Sequence, residues 1–167
     1  SWPEYTLSLS GILVNGDVYV IHHTSSNIDP TISGAGDITW SQASWTGDDA
    51  VALVKMDAAG AGVIIDVIGE DGSDPGNGWD VAGVSDATKD HTLVRDFSVT
   101  SGNTDWASSA GTSPDDSEWI VLDQDTWDYL GSHTELQISI LGCTDPSYVE
   151  YDEMANEDDG SCLTLII

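Results

Sequence analysis

Negative charge is almost unopposed along this chain. Its 30 Asp and Glu residues face only 3 Lys and Arg residues, which gives a formal net charge of −27 at pH 7. Since phosphate groups are bound through clustered cations, this composition predicts no direct binding to nucleic acid or to an anionic membrane surface. Repulsion this dense also destabilises a compact fold unless bound cations or a salty medium screen it.

The kind of acid bears on the fold. Aspartate accounts for 23 of the acids and glutamate for 7, and the chain also contains 17 Gly and 7 Trp. Asp and Gly favour turns, whereas Glu favours helices, and no segment of helical length shows a 3.6-residue apolar period. We therefore predict an all-β protein whose turns are rich in carboxylates.

Short apolar or alternating segments, separated by turn signals, are candidate strands. They are residues 5–10, 18–23, 50–56, 63–68, 92–97, 118–123, 136–141 and 163–167. The segment between residues 56 and 63 contains Gly60, which predicts a hairpin with its turn at that glycine. This spacing of strands is typical of an antiparallel β-sandwich. No apolar run approaches the roughly 18 residues of a membrane span, so no membrane insertion is predicted.

The two cysteines, Cys143 and Cys162, enclose a short acidic segment. In an oxidising compartment this arrangement predicts one local disulfide and a secreted or cell-surface location, with two buried free thiols as the alternative. A break in composition near Gly142 predicts a β-sandwich over residues 1–141, a disulfide-bounded acidic module over residues 142–162 and a terminal strand over residues 163–167. The chain opens without an initiator Met or a signal peptide, as expected of a processed or excised piece.

Several stretches of the sequence resemble a known family. They are residues 46–55, 63–72, 78–95, 101–123 and 126–134, beginning with TGDDAVALVK. They resemble the lamin-tail domain of secreted and surface proteins of Bacteroidetes. This resemblance implies an immunoglobulin-like sandwich without catalytic residues, carried beside nucleases, adhesins or sorting domains. Residues 142–162 are similar to a cysteine-bounded spacer module of large secreted proteins from the same bacteria.

The resemblance is incomplete at the N-terminal end. Family members usually begin with a strand, a turn and a strand ahead of the stretch that resembles residues 2–11, and that segment is missing here. Either the sequence is part of a longer protein or another chain supplies the strands. At the other end, Leu163, Leu165 and Ile167 belong to an apolar, β-prone segment with no obvious partner. We predict that these residues take part in strand exchange, with closure of the chain's own sheet as the alternative.

The acidic module predicts a calcium site. Its candidate ligands are Asp145, Asp152, Asn156, Asp158 and Asp159. Crowded carboxylates repel one another, and calcium relieves the repulsion because it accepts about six to eight oxygen ligands in flexible geometry. The spacing does not match an EF-hand loop, and the alternative is a solvated acidic loop without metal.

A second, weaker metal candidate is the pair Asp71 and Asp74, near Ser73 and Asn77. Its alternative is a Gly- and Pro-containing turn in which Asp side chains accept hydrogen bonds from nearby backbone N–H groups.

Other residue pairs invite a catalytic interpretation, which we reject. On a strand, the adjacent Asp48 and Asp49 would point to opposite faces, as would His22 and His23. His91 follows Asp90 directly, which is not the geometry of a catalytic triad. Residues 83–87, GVSDA, lack the final glycine of a nucleophile elbow. We expect Lys89 and Arg95 to pair locally with the surrounding acids, and we predict that the chain is not an enzyme.

Tryptophan is heavily used. The seven are Trp2, Trp40, Trp45, Trp79, Trp106, Trp119 and Trp127. Exposed tryptophans suit carbohydrate stacking, but we favour core filling and loop pinning, because buried tryptophan is the commoner outcome in small sandwiches.

Two functional hypotheses follow. The first is a non-catalytic extracellular structural or adhesive module, stabilised by calcium and assembling through β-strand complementation into a repeat array or filament. Its partners would be further copies of itself or neighbouring modules. The second is an accessory attachment or spacer domain of a secreted enzyme such as a nuclease.

Overall fold

The computed structural model describes residues 3–26, 36–133, 141–155 and 157–166, and within them the prediction of an all-β protein is confirmed. The strands are β1 (Ile21–His22), β2 (Ile38–Thr39), β3 (Val51–Met56), β4 (Gly62–Ile68), β5 (His91–Arg95), β6 (Trp119–Asp123), β7 (Leu141–Gly142) and β8 (Glu157–Asp158). One short helix, α1 (Trp106–Ala110), lies between β5 and β6. The chain divides into two compact units, Ser1–Thr134 and Glu135–Ile167.

Strands β3 and β4 form the antiparallel hairpin that the sequence predicts. Its turn is closed by a hydrogen bond of 2.8 Å from the Asp57 N–H to the Ala61 carbonyl, while Gly60 adopts a φ of 83°, a conformation that glycine reaches without strain. The Asp57 carboxylate accepts hydrogen bonds from the N–H groups of Ala59 and Ala61. The register shifts in the hairpin, since Leu53 pairs with Asp66 but Val54 pairs with Ile64. This bulge is typical of a strand that bends.

Strands β5 and β6 form a second antiparallel pair, in which Leu93 lies opposite Val121. The polar connection between them contains α1, whose first turn is capped by the Asp105 carboxylate accepting a hydrogen bond from the Ser108 N–H. The helix has five residues, too few for an apolar period to reveal it in the sequence.

Three tryptophans form the centre of the core in the N-terminal unit. Trp79, Trp106 and Trp119 are buried, and their rings meet at steep angles with centroids 6.2 to 6.4 Å apart. Such geometry is favourable because the edge of one ring meets the negative face of another. Core filling is therefore confirmed for these three residues.

Arg95 connects the hairpin to the second strand pair. Its Nη2 donates to the Asp66 carboxylate on β4, and its Nη1 donates to Ser109 Oγ at 2.8 Å. Glu118 Oε2 lies 3.2 Å from Nη1 but accepts no hydrogen bond from the described residues, so this contact is an ion pair alone. The guanidinium lies 4.3 Å from the centre of the Trp119 ring. The expectation that Arg95 pairs locally is wrong, because its acidic partners are distant in the chain.

Other expected strands are shorter or absent. Residues 5–10 form no strand, and side chains such as Tyr5 and Leu9 are exposed, so their alternation has no core to bury against. Of residues 18–23 only β1 is a strand, and it pairs in parallel with β2. The candidate strand 136–141 lies outside the described residues except for Leu141. The described sheets are four two-stranded pairs, of which β3–β4 and β5–β6 are antiparallel.

No helix among the described residues is long and apolar enough to cross a membrane.

Candidate functional site

The predicted disulfide joins Cys143 to Cys162, with their Cα atoms 4.9 Å apart. Cys143 is completely buried, and it is the one buried residue among the described residues of the C-terminal unit. Strands β7 and β8 run in parallel beside it, and the Asp152 N–H donates to the Cys143 carbonyl at 2.9 Å. A unit with so small an apolar core depends on its covalent link for stability.

The terminal segment has a partner, contrary to the sequence-based expectation that it has none. The Val149 N–H donates to the Thr164 carbonyl at 2.8 Å, and the Ile166 N–H donates to the Ser147 carbonyl at 2.9 Å. Leu165 thereby lies opposite Tyr148 in an antiparallel bridge. Side chains of Leu163 and Leu165 remain exposed, and Ile167 lies outside the described residues.

The Glu150 carboxylate fixes the start of this segment. Its Oε2 accepts hydrogen bonds from the Thr164 N–H at 2.9 Å and from the Leu163 N–H at 3.3 Å. Hydrogen bonds from Thr164, through its side chain and then its backbone, together with those from the Glu150 and Leu163 backbone, lower the pKa of Glu150 to about 2. The carboxylate is therefore ionised in neutral solution.

The four predicted calcium ligands that the structure describes each take part in a local turn. In every described case one carboxylate oxygen accepts a hydrogen bond from the backbone N–H two residues later, at 2.9 to 3.0 Å. The pairs are Asp145 with Ser147, Asp152 with Met154, Asp158 with Gly160, and Asp159 with Ser161. Such turns form readily because Asp mimics a backbone carbonyl at this spacing.

The turns show how the carboxylates are held but do not show a metal site, so the calcium site stays a prediction. Within the described part of the chain, no three or more His, Cys, Asp or Glu side chains are grouped so that they could hold a metal ion. Asn156, the fifth predicted ligand, lies outside the described residues. An Asp followed two residues later by Ser or Gly is the sequence signal for such turns, and it was present at Asp145, Asp158 and Asp159.

The two acids of the weaker metal candidate, Asp71 and Asp74, lie in different surroundings. Asp74 Oδ1 accepts a hydrogen bond of 2.9 Å from the Gly76 N–H, which is the turn geometry of the alternative interpretation. Asp71 instead lines an open surface cleft with Glu70, Asp105 and Trp106.

The acid pair Asp48 and Asp49 behaves differently from the expectation. Asp48 lies in a bend and Asp49 directly after it, both before β3, so their side chains do not diverge as they would on a strand. Asp48 Oδ1 accepts a hydrogen bond of 2.6 Å from Thr46 Oγ1, and Asp49 Oδ2 accepts one of 3.0 Å from the Thr46 N–H. The bend begins at Gly47, whose φ of 107° is a conformation that glycine adopts without strain. The sequence analysis therefore missed a site at which two carboxylates accept hydrogen bonds from the same threonine, Thr46.

The histidines that invited a catalytic interpretation contact neighbouring groups. A ring nitrogen of His91 lies 2.8 Å from the Lys89 carbonyl, and one of His22 lies 3.1 Å from the His23 carbonyl. His23 Nδ1 lies 2.6 Å from Ser25 Oγ, but this pair is exposed.

Comparison of the chain with models of protein families, with curated proteins and with solved structures finds no match.

Proposed function

We propose that this chain is a non-catalytic structural or adhesive module of a secreted or cell-surface bacterial protein, and that copies of it assemble through β-strand complementation. In this proposal the N-terminal unit is an immunoglobulin-like sandwich of the lamin-tail kind that receives a strand from a neighbour. The observation that carries the proposal is the apolar surface of the hairpin β3–β4. The disulfide of the C-terminal unit supports the extracellular location, since such bonds persist in oxidising compartments.

The hairpin exposes large apolar side chains along both of its strands. They are Leu53, Val54, Met56, Val63, Ile64 and Ile65. Isolated two-stranded hairpins are marginally stable in water, and contiguous exposed apolar surface of this kind marks interaction sites. An additional strand would pair with the outer edge of β3, or with the part of β4 before Val67, whose N–H already donates to the Asn103 carbonyl, and would cover these side chains.

The terminal segment has the properties of a donor strand. Leu163 and Leu165 are 79% and 60% exposed. Because Thr164 and Ile166 use their backbone groups to pair with residues 147–149, the N–H and C=O of Leu165 point to the opposite edge. No backbone group of the described residues bonds to that edge, so a strand of another copy can pair with it.

Charge restricts which surfaces of two copies can meet. Each copy carries −27, so contact between most parts of their surfaces is repulsive. Residues 163–166 carry no charge, and β3 carries a single Lys55. Apolar strand pairing between these segments avoids the repulsion that most other contacts would incur.

Sedimentation velocity tests this assembly. We expect the native chain to form species heavier than the 17.7 kDa monomer, in amounts that rise with concentration. Leu165→Lys should sediment as a monomer, because it places a charge on the donor strand. Met154→Lys is the matched control, since Met154 is 70% exposed in the same unit and the change in charge is identical. A native chain that stays monomeric, or a control that also abolishes assembly, would contradict the proposal.

Calcium is proposed to stabilise the C-terminal unit. The local turns occupy one oxygen of each described carboxylate, and the crowded charges remain costly unless a cation screens them. Calcium at about ten times its dissociation constant would add about 1.4 kcal/mol of stability. We therefore expect chelation to lower the melting temperature by about 3 to 5 °C and millimolar calcium to restore it.

Two double variants make the calcium test specific. Asp158→Asn with Asp159→Asn should remove the calcium shift, because Asn keeps the side-chain oxygen of each turn but removes the charge. Asp125→Asn with Asp128→Asn makes the same change of charge at exposed positions of the N-terminal unit and should retain the shift. Equal calcium shifts in both variants, or none in the native chain, would refute the site.

A further inference from the structure

Trp45 differs from the core tryptophans. Trp79, Trp106 and Trp119 are each less than 10% exposed, whereas Trp45 is 45% exposed. Its ring nevertheless has a fixed neighbour, because it meets the Trp40 ring at 67° with the centroids 6.2 Å apart. An indole that is held by a second aromatic ring but remains open to water presents an apolar face to a ligand.

The backbone beside Trp45 is anchored to the core. The Gly47 carbonyl accepts a hydrogen bond of 2.6 Å from Thr88 Oγ1, which itself accepts one of 2.8 Å from the Trp79 N–H. Gly47 is completely packed, since a Cβ atom there would lie 2.6 Å from Lys89 Cβ. Trp45 therefore extends from a rigid loop. Because this loop is already ordered, binding of a ligand to Trp45 would cost little conformational entropy.

Polar groups of both signs lie on the residues that follow Trp45 and on Lys89, which packs against Gly47. Thr46, the next residue, holds the exposed carboxylates of Asp48 and Asp49 by its hydroxyl and its N–H. The hydrogen bond from Thr46, then the Asp48 backbone and, as a smaller cause, the charge of Lys89 lower the pKa of Asp48. Two acceptor carboxylates thus follow Trp45 within four residues, and a cationic residue packs against Gly47 in the same loop.

We propose that Trp45, Asp48 and Lys89 form a binding site for a neutral carbohydrate. A sugar ring has an apolar C–H face that can stack on the indole, and its hydroxyl groups can donate to Asp48 and accept from Lys89. The net charge of −27 selects among glycans, because it repels anionic polysaccharides at long range. The site is independent of the strand pairing proposed above and lies on the N-terminal unit.

Affinity electrophoresis of the full chain tests this site. The gels contain laminarin, galactomannan or xyloglucan as neutral probes and alginate as the anionic probe. We expect at least one neutral glycan to retard the native chain and alginate to have no effect. Trp45→Ala should weaken binding by up to about tenfold, which corresponds to the loss of one aromatic stack.

Three further variants complete the test. Asp48→Asn should weaken glycan binding severalfold. Trp45→Phe keeps an aromatic ring and should retain part of the glycan affinity, so it still tests the site if Trp45→Ala does not fold. Trp127→Ala is the matched control, because Trp127 is 63% exposed and should not contribute. The inference fails if no neutral glycan retards the native chain, if alginate alone does, or if Trp127→Ala weakens binding as much as Trp45→Ala.

Discussion

Replacing Arg95 with methionine is expected to lower the free energy of unfolding by about 3 kcal/mol. The change leaves two carboxylates, Asp66 and Glu118, without their cation and removes the donor to Ser109. It also removes the cation from the face of the Trp119 ring. Breaking a buried ion pair costs about 3 to 5 kcal/mol of stability. We expect the lower end of this range, because the side chains of Asp66 and Glu118 are 31% and 28% exposed.

Urea denaturation followed by tryptophan fluorescence measures this effect, since Trp119 contacts Arg95 and lies in one core cluster with Trp79 and Trp106. Lys55→Met makes the same change of charge at an exposed strand position and should alter stability by less than about 0.5 kcal/mol. Similar losses for the two variants would mean that net charge, and not the Arg95 junction, accounts for the effect.

Removing the disulfide by replacing Cys143 and Cys162 with alanine is expected to destabilise the C-terminal unit by about 3 kcal/mol. The bond closes a loop with a sequence separation of 19, and apart from Cys143 the described residues of this unit contribute no buried side chain. The unfolded segment therefore gains conformational freedom that its few apolar contacts cannot offset.

Hydrogen exchange monitors the disulfide prediction locally. The amides of Val149 and Ile166, which pair with Thr164 and Ser147, should lose protection in the double variant. The Ala82 amide, hydrogen-bonded to the Ala110 carbonyl in the N-terminal unit, should not change and serves as the internal control. Unchanged protection of Val149 and Ile166 would show that the unit does not need its covalent link.

Local features of the fold could be predicted from the sequence. The hairpin at Gly60 follows from two apolar strands joined by a short turn, and the disulfide follows from two cysteines that enclose a polar loop. The burial of Trp119 follows from its position in an apolar strand. Each of these inferences depends on residues that are close in the chain.

Features that depend on distant partners could not be predicted. Arg95 offers a charge, but nothing in the sequence identifies Asp66 as its partner. Residues 5–10 alternate as a strand would, yet alternation alone does not supply a sheet to join. The turns at Asp145, Asp158 and Asp159 are local by contrast, since each carboxylate accepts from the backbone N–H two residues later at little cost in loop-closure entropy, and the Ser or Gly at that spacing could have predicted them.

If copies of this chain complete one another's sheets, hydrogen exchange of the β3–β4 hairpin will slow as protein concentration rises. Strand addition forms new hydrogen bonds along the hairpin edge, so amides of Val51–Met56 or Gly62–Ile68 should become more protected as assemblies form. The same amides should not change in Leu165→Lys. Hairpin exchange that is independent of concentration in the native chain would show that no strand is added to the hairpin.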